Sequence, residues 1–161
     1  MTDVRIGLGV DVHPREVGRP LYLGGVRFEG EAGLAGHSDG DVLCHAVADA
    51  LLGAAGLGDL GEHFPEADPT YAGIAGLDLL ARVVALLAER GLVPKGCDLT
   101  LLAERPLIAG RREEIRRNLA AALALTLDYV SVKATRPEGL GLSGDGAGCI
   151  AVASVAPITA R

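Results

Sequence analysis

Two histidines and an aspartate near the beginning of the chain have the spacing of a metal site. Asp11 and His13 stand two residues apart at the end of the run 4–12, whose near-alternating apolar residues predict a strand. Because side chains alternate between the faces of a strand, we expect Asp11 and His13 to share one face. His45 follows on the next predicted helix. Two imidazoles and one carboxylate suit a divalent ion such as zinc and leave a fourth ligand position open, as in catalytic sites.

The helix that carries His45 is predicted over 41–56, with apolar and polar residues on opposite sides. The apolar side holds Leu43, Val47, Ala50 and Ala54, and the polar side holds Asp41, His45 and Asp49. We therefore expect His45 to lie outside the hydrophobic core. On the pattern alone the alternative to a metal site is an ordinary surface pair, because an Asp-x-His sequence is common by chance.

Four further polar residues each have two interpretations. His37, in a glycine-flanked turn, is either an anion donor or an exposed loop histidine, and Asp59 either accepts from the hydroxyls of a polyol or shapes a turn. Glu138 lies in a glycine-rich loop whose backbone amides could cradle phosphates, and it is otherwise a solvated acid. Lys133 is either a phosphate contact or a charge at the end of a strand.

The elements that must position these residues mix helices with a small sheet. Strands are predicted over 4–12, 97–103, 129–134 and 149–156, a hairpin over 21–28, and helices over 41–56, 76–90 and 111–125. Ser38 or Asp39 is expected to cap the first helix. Because strands and helices do not alternate strictly, we predict an α+β fold. It would contain a four-stranded mixed sheet with helices on one face, in a ferredoxin-like layer, plus the small hairpin.

Length and composition indicate a single globular domain over residues 1–161. A chain of 161 residues with 49% hydrophobic and 22% charged residues can bury a sizeable core, which excludes a disordered protein. Helices on one face of the predicted sheet leave the other face uncovered. That face needs a partner, so we expect an oligomer.

Charge and aromatic content argue against two classes of partner. Lys and Arg total 15 and Asp and Glu total 21, and this net charge of -6 gives no general attraction to nucleic acid or to an anionic membrane. Aromatic residues make up only 3% of the chain, so base-stacking platforms are not expected. The longest uncharged run, 146–160, is too short to span a bilayer.

The cysteines and the N-terminus indicate a cytoplasmic protein. Cys44, Cys97 and Cys149 are far apart and odd in number, so we expect small, reduced, buried thiols. Asp3 and Arg5 interrupt the N-terminus, which has no apolar stretch of the length of a secretion signal.

Seven short motifs, in a fixed order, give the sequence a family resemblance. They are Gly9–His13, His37–Val42 with His45, Ala50–Ala54, Gly58–Gly61, Phe64–Pro65, Val132–Thr135 and Glu138–Gly141. In this combination, and over nearly the whole chain, the sequence resembles the 2-C-methyl-D-erythritol 2,4-cyclodiphosphate synthases. The resemblance implies a homotrimer of α+β subunits with active sites between neighbouring subunits.

The activity that the resemblance implies is that of a phosphorus–oxygen lyase. It converts 4-diphosphocytidyl-2-C-methyl-D-erythritol 2-phosphate to 2-C-methyl-D-erythritol 2,4-cyclodiphosphate and CMP, a step in non-mevalonate isoprenoid precursor biosynthesis. The 2-phosphate of the substrate attacks the β-phosphorus, so no covalent enzyme intermediate is expected. All the reacting groups are anionic, so the reaction needs metal ions that reduce the repulsion between them. It also needs a closed pocket that orients the attacking phosphate toward the β-phosphorus.

By position, the resemblance assigns the metals and the catalytic group. Asp11, His13 and His45 are implied as ligands of zinc, or of another divalent metal at the same site. Glu138 is implied as a ligand of a second ion, magnesium or manganese, held with the diphosphate. His37 and Thr135 are implied as catalytic residues that contact phosphate.

The resemblance also implies a substrate pocket drawn from several segments. His37 and Ser38 correspond to the loop that orients the phosphate, next to Asp11 and His13, and Asp59 corresponds to the residue that holds the methylerythritol hydroxyls. The wall beside Asp59 continues through Gly61, Phe64, Pro65, Glu66 and Asp68. The cytidine pocket, which the adjacent subunit offers, corresponds to Ala103, Pro106, Leu107, Ile108 and Ala109.

Four positions depart from the family pattern. Arg136 follows Thr135 where many members have further threonines, and it occupies a position often held by a threonine that stabilises the transition state. Leu142, expected to contact the substrate, replaces a frequent phenylalanine, and Leu107 replaces a common lysine. Asp145 replaces a frequent arginine, and we hypothesise that Arg136, as a catalytic residue, supplies the positive charge lost at Asp145.

Two other functions fit the same residues. One is a trimeric binding module whose apolar central channel takes isoprenoid diphosphates, with a purely structural metal. The other is a metal-dependent phosphohydrolase. The first predicts ligand binding without release of CMP, and the second predicts linear phosphate products.

Overall fold

The structure, a computed structural model, describes residues 3–141 and 145–158. The strands are β1 (Arg5–Glu16), β2 (Leu21–Leu23), β3 (Val26–Phe28), β4 (Gly33–Leu34), β5 (Leu92–Leu102), β6 (Val130–Thr135) and β7 (Gly146–Pro157). The helices are α1 (Val42–Ala55), α2 (Leu60–His63), α3 (Gly76–Glu89) and α4 (Arg112–Leu123), with 3₁₀ turns at Pro69–Tyr71, Ala109–Arg111 and Leu127–Tyr129. Leu142, predicted to contact the substrate, lies outside the described residues.

The main sheet is mixed and has five strands, in the order β4-β1-β7-β5-β6. Only β5 and β6 run parallel, and the other neighbours pair antiparallel. The predicted α+β class is confirmed, but the prediction of four strands was wrong. The fifth strand, β4, contains two residues that pair with Arg15 and Glu16 at the end of β1, and so short a strand shows no alternation in sequence.

Helix α1 lies directly on β1 because two glycines remove side chains from the contact. A Cβ atom on Gly7 would stand 2.0 Å from the carbonyl oxygen of Ala50, and one on Gly9 would stand 2.0 Å from that of Ala46. Gly7, Gly9, Asp11 and His13 share one face of β1 by the period of two. The same close packing that excludes side chains at the glycines therefore brings α1 against the two polar residues that follow.

Nearly all of α1 is buried, which corrects the expected division of this helix into an apolar and a polar side. Asp41 at its beginning is fully buried, and His45 is only 6% exposed. The sheet covers one side of α1 and α3 another, so the helix has no solvent-facing stripe of the predicted width. The prediction that His45 lies outside the core was wrong, although one of its polar partners, Asp11, is the one that the pattern indicated.

The cap of α1 is Asp41, and the prediction of Ser38 or Asp39 was wrong. One carboxylate oxygen of Asp41 accepts from the N–H groups of Leu43 and Cys44, at 3.2 Å each, and from that of Gly24 at 2.9 Å. The other oxygen accepts from the N–H of Gly25 at 2.7 Å. Asp41 thus joins the start of α1 to the turn of the predicted β2–β3 hairpin, which is confirmed.

Ser38 and Asp39 have other partners. The carboxylate of Asp39 accepts from the N–H of Asp41 at 3.0 Å and from that of Gly76, the first residue of α3, at 2.8 Å. Asp39 therefore links the turn before α1 to the beginning of α3.

The sheet face opposite α1 is bare. The residues of β1 that alternate with Gly7, Gly9 and Asp11 point to this face and are apolar. Strand β7 contributes two further apolar residues. These side chains are 43–71% exposed: Ile6, Leu8, Val10, Val12, Ile150 and Val152. The expectation of an uncovered apolar face is confirmed, and a continuous apolar surface of this kind indicates an interaction site.

Two further findings bear on the composition of the chain. Cys44, Cys97 and Cys149 are free and buried, as predicted, and burial raises the pKa of Cys97 to about 12. Across residues 3–141 and 145–158, the helices are too short or too polar to cross a membrane.

Candidate functional site

Asp11, His13 and His45 converge where β1 passes beneath the first turns of α1. The Nε2 atom of His13 lies 3.0 Å from Oδ2 of Asp11, and Nδ1 of His45 lies 3.1 Å from the same oxygen. One ligand atom from each residue lies within 4.8 Å of the other two. We call these three residues the ligand triad. Its strand members share a face, as the period of two predicts, and the glycine-mediated contact brings His45 to them.

The donor set fits a divalent ion. His13 Nε2 is buried and, among the described residues, has no partner aligned for a hydrogen bond, although Asp11 is close. A buried ring nitrogen left without a hydrogen bond is costly unless something else binds it. Two imidazole nitrogens and a carboxylate oxygen around one point are the ligands that zinc prefers, with a position left for another ligand.

The charges of the triad are coupled. Burial alone would raise the pKa of Asp11, but the adjacent His13 and His45 side chains outweigh burial and lower that pKa to about 2. Burial would likewise lower the pKa of His45, but the hydrogen bond and charge of Asp11 dominate and raise it. The carboxylate is therefore ionised at neutral pH, and it attracts a cation, whether a proton on His45 or a metal.

Ser38 supports His45 from the side away from Asp11. Its Oγ lies 3.0 Å from Nε2 of His45 and accepts from the N–H of Gly40 at 3.2 Å. With Asp11 at one ring nitrogen and Ser38 at the other, the orientation of the imidazole is fixed, and a metal-bound histidine is commonly held in this way. The sequence predictions placed Ser38 in the phosphate loop or at the cap of α1, and they missed this contact with His45.

The triad opens into a cavity of about 170 Å³, the triad cavity. Besides the triad, it is lined by five of the residues predicted to bind substrate: His37, Ser38, Gly61, Phe64 and Glu66. Leu60, Tyr71, Ile74 and Leu79 also line it and were not predicted. Phe64 packs edge-on against Tyr71, with ring centroids 5.2 Å apart. Single apolar side chains of this kind carry no motif from which sequence could identify them.

Three predicted binding residues, Asp59, Pro65 and Asp68, do not line the triad cavity. Asp59 begins α2, where its carboxylate accepts from the N–H of Glu62 at 3.0 Å. The carbonyl of Asp68 accepts from Nε2 of His37 at 3.3 Å, and Pro65 lies between these segments. His37 is thereby held toward the cavity.

A second cavity, of about 200 Å³, lies elsewhere on the chain, and we call it the loop cavity. It collects all five residues of the predicted cytidine pocket: Ala103, Pro106, Leu107, Ile108 and Ala109. Ala134, Thr135 and Arg136 line it as well, together with Arg112, which the sequence prediction missed. The two cavities share no lining residue, so one chain alone does not bring Thr135 and Arg136 to the triad.

The remaining predicted residues lie apart from both cavities. Glu138 is exposed, has a φ of 55°, and lies outside the one cluster of metal-ligating groups found among the described residues. Asp145 lines another pocket with Arg15 and Arg105. Lys133 forms an exposed ion pair of 2.6 Å with Asp98, and its predicted contact with phosphate stays a prediction.

A profile of the YgbB family matches residues 4–157. This chain belongs to the YgbB family. A relative from Symbiobacterium thermophilum is named 2-C-methyl-D-erythritol 2,4-cyclodiphosphate synthase; it is 52% identical over 153 residues, covering 94% of this chain and 98% of the relative. The resemblance that the motifs indicated is therefore confirmed.

Other relatives are longer. A "bifunctional enzyme IspD/IspF" from Anaeromyxobacter dehalogenans is 55% identical over 141 residues, which cover 88% of this chain but only 36% of the relative. This chain thus spans little more than a third of the length of that relative. Among solved structures, an IspF from Plasmodium falciparum in complex with CDP has a TM-score of 0.83 and 29% identity, covering 97% of each chain.

Proposed function

We propose that this chain converts 4-diphosphocytidyl-2-C-methyl-D-erythritol 2-phosphate to 2-C-methyl-D-erythritol 2,4-cyclodiphosphate and CMP, as a lyase of isoprenoid precursor synthesis. The observation that carries the proposal is the ligand triad, which opens into a cavity together with the phosphate-loop residues His37 and Ser38. The name of the Symbiobacterium relative and the CDP bound in the Plasmodium structure support the choice of substrate.

In this proposal the residues of the chain hold and orient a substrate that carries its own nucleophile. Asp11, His13 and His45 would hold zinc or another divalent ion, and Glu138 would hold magnesium or manganese with the diphosphate. When bound, such ions withdraw negative charge from phosphate oxygens. His37 and Ser38 would orient the attacking phosphate, and Asp59 the methylerythritol hydroxyls.

Orientation is the main contribution of the protein. Bringing reacting groups into alignment contributes up to about 7–11 kcal/mol in intramolecular reactions. No protein nucleophile is required, because a phosphate is already charged at neutral pH. The thiols fit this reading: burial raises the pKa of Cys97 and Cys149 so that both stay protonated and unreactive.

We infer that the functional unit is a homotrimer with active sites between subunits. Two observations support an assembly: the bare apolar face of β1 and β7, and the separation of the triad cavity from the loop cavity. A neighbouring copy could place its loop cavity opposite the triad, which would bring Thr135 and Arg136 to the phosphates. We further propose one domain over 1–161, a cytoplasmic location, and no nucleic-acid or membrane partner.

The role of Arg136 is open to a direct test. We propose that its exposed guanidinium supplies the positive charge absent at Asp145, and that Leu142 contacts the substrate. The Arg136→Glu variant should lose most of its turnover while keeping its metal, because Arg136 does not touch the triad. Unchanged turnover would end the idea.

One assay separates this function from the two alternatives. The protein is incubated with the cytidine substrate, zinc and magnesium, and the products are followed by phosphorus NMR. The proposal predicts CMP and the cyclic diphosphate in equal amounts, with both lost in the His13→Ala variant. Binding of the substrate without release of CMP would favour a binding module for isoprenoid diphosphates. Linear phosphate products would favour a phosphohydrolase.

A further inference from the structure

One arginine holds the backbone on both sides of His37. Nη1 of Arg19 donates to the carbonyl oxygen of Gly36 at 2.6 Å, and Nη2 of Arg19 donates to the carbonyl oxygen of Ser38. The carbonyl of His37 accepts instead from the N–H of Gly73, at 2.8 Å. The segment 36–38 is thus bound to a guanidinium through its first and last residues, and to a different loop through its middle residue.

The other contacts of Arg19 leave this segment as its main partner. The ion pair of Arg19 with Glu16 is long, at 3.4 Å, and Glu16 is exposed, so that pair contributes little. The carbonyl of Arg19 accepts from the N–H of Gly33 in β4 at 2.9 Å, which ties its backbone to the sheet. Arg19 does not line the triad cavity. Its guanidinium therefore contacts the segment and not a ligand in that cavity.

The segment needs support of this kind because glycines flank His37 and Ser38. Gly40 has a φ of 74°, and a Cβ atom on Gly36 would stand 3.2 Å from the ring of His13. Glycine suits both positions, but it also leaves the backbone more freedom than any other residue. A guanidinium is planar and presents its donors in a fixed fork, so one arginine can bind two carbonyls at once.

We propose that Arg19 is a positioning residue for His37 and Ser38. By holding the carbonyls on either side of His37, it fixes the backbone from which both side chains reach the triad cavity. The inference rests on the proposed function, in which His37 and Ser38 orient the attacking phosphate. A small misplacement of a reacting group slows the chemical step, so the loss of Arg19 should be seen in kcat.

The first test measures kcat and KM with saturating zinc and magnesium. In Arg19→Ala, kcat should fall by about 10–100-fold while KM changes by less than about threefold, since alignment is lost and the substrate contacts remain. Arg19→Lys keeps the charge without the fork, so it should recover only a small part of the loss. Arg27→Ala is the matched control and should keep the wild-type kcat, because Arg27 is exposed and pairs with Glu29 at 3.0 Å.

Guanidinium itself provides a test that a general loss of stability would not pass. In Arg19→Ala the free ion can enter the space of the lost side chain and donate to both carbonyls, so millimolar guanidinium chloride should raise kcat severalfold. The wild-type protein and Arg27→Ala should not respond. Guanidinium weakens folded proteins in general, so a variant that had only lost stability would lose activity in it.

A second measurement needs no substrate. The amide of Gly73 donates to the carbonyl of His37, and the amide of Asp39 donates to that of Ile74 at 3.1 Å. In zinc-loaded Arg19→Ala both amides should exchange their hydrogens about tenfold faster or more, whereas the amides between β5 and β7 should keep the wild-type rate.

The outcomes separate the inference from the proposed function. A normal kcat in Arg19→Ala or Arg19→Lys would overturn the positioning role. So would a loss of kcat that guanidinium does not reverse and that comes with faster exchange throughout the sheet. Failure of the wild-type protein to form the cyclic product would overturn the proposed function, and faster exchange confined to Gly73 and Asp39 would then still support the hold of Arg19 on the segment.

Discussion

The triad cavity and the loop cavity are built in opposite ways. The triad is set by the interior: glycines on β1 admit α1, a buried helix carries His45, and Ser38 fixes the imidazole. The loop cavity is set by an exposed turn and a strand end, and Ala134, Thr135 and Arg136 on its rim are all exposed. One region is preorganised inside the chain, and the other is formed largely by exposed residues at its surface. The proposed chemistry needs both.

The largest effect is expected from removing a triad histidine. His13→Ala and His45→Ala should each lower metal affinity more than about 100-fold, because a lost ligand costs more than a lost supporting contact. His63→Ala is the control, since His63 bonds the carbonyl of Leu57 and lies outside the triad. Metal analysis after dialysis measures the result. Full metal retention in both triad variants would show that these histidines do not hold the metal, and the contrast between the triad cavity and the loop cavity would then fail.

The next effect concerns the packing beneath the triad. Gly9→Ala places a Cβ atom 2.0 Å from the carbonyl oxygen of Ala46, so either α1 or β1 must move. We expect a loss of about 3 kcal/mol in the free energy of unfolding, together with weaker metal binding.

The matched control for Gly9 of β1 is a glycine on α1, the helix that packs against that strand. Gly53 is exposed, and a Cβ atom there would meet nothing closer than 4.0 Å. Gly53→Ala should therefore stabilise the protein by up to about 1 kcal/mol, through helix propensity alone. Denaturant titration of both variants checks the pair, and similar stabilities would show that the α1–β1 contact does not fix the triad.

A smaller effect is expected at Ser38. Ser38→Ala removes the contact to Nε2 of His45 and should lower metal affinity by about 10–100-fold, as is typical for a residue that orients a ligand. Ser38→Thr keeps a hydroxyl and should restore part of that loss. The measurement is a metal titration without substrate, so that a role in phosphate binding does not contribute. Unaltered affinity in Ser38→Ala would leave Ser38 with the phosphate role alone.

The smallest expected effect is the change of metal affinity with pH. Asp11 raises the pKa of His45 in the metal-free protein, and a proton on His45 competes with a metal. Metal affinity should be constant above that pKa and should fall by about tenfold per pH unit below it. Asp11 has a pKa of about 2 and stays ionised in this range, so it adds no further step. Metal titrations between pH 8 and 5, about the range in which histidines change charge, measure the profile, and a flat one would contradict ligation by His45.

The sequence predicted the chemistry of the triad better than its surroundings. The period of two placed Asp11 and His13 on one face, since that rule is local to a strand. The burial of His45 was mispredicted because a helical wheel assumes one exposed side, whereas α1 is covered by the sheet and by α3. That covering depends on contacts between distant segments, which no local pattern reports.

Other features were missed for related reasons. Strand β4 was missed because two residues carry no periodicity, and Asp41 was overlooked as a cap because the preceding turn offers Ser38 and Asp39 too. Arg112, which lines the loop cavity, was missed because it belongs to no motif. The cytidine-pocket residues were named from the family resemblance alone.

The most direct test of the central claim is X-ray absorption spectroscopy of the zinc-loaded wild-type protein. Three protein ligands converge on one point, so the spectrum should show one bound zinc per chain with two imidazoles, a carboxylate oxygen and no sulfur. The distances should be near the ordinary values of about 2.0–2.2 Å for these ligands. A spectrum with sulfur ligands, or with water as the only neighbour, would contradict the claim that Asp11, His13 and His45 form the metal site.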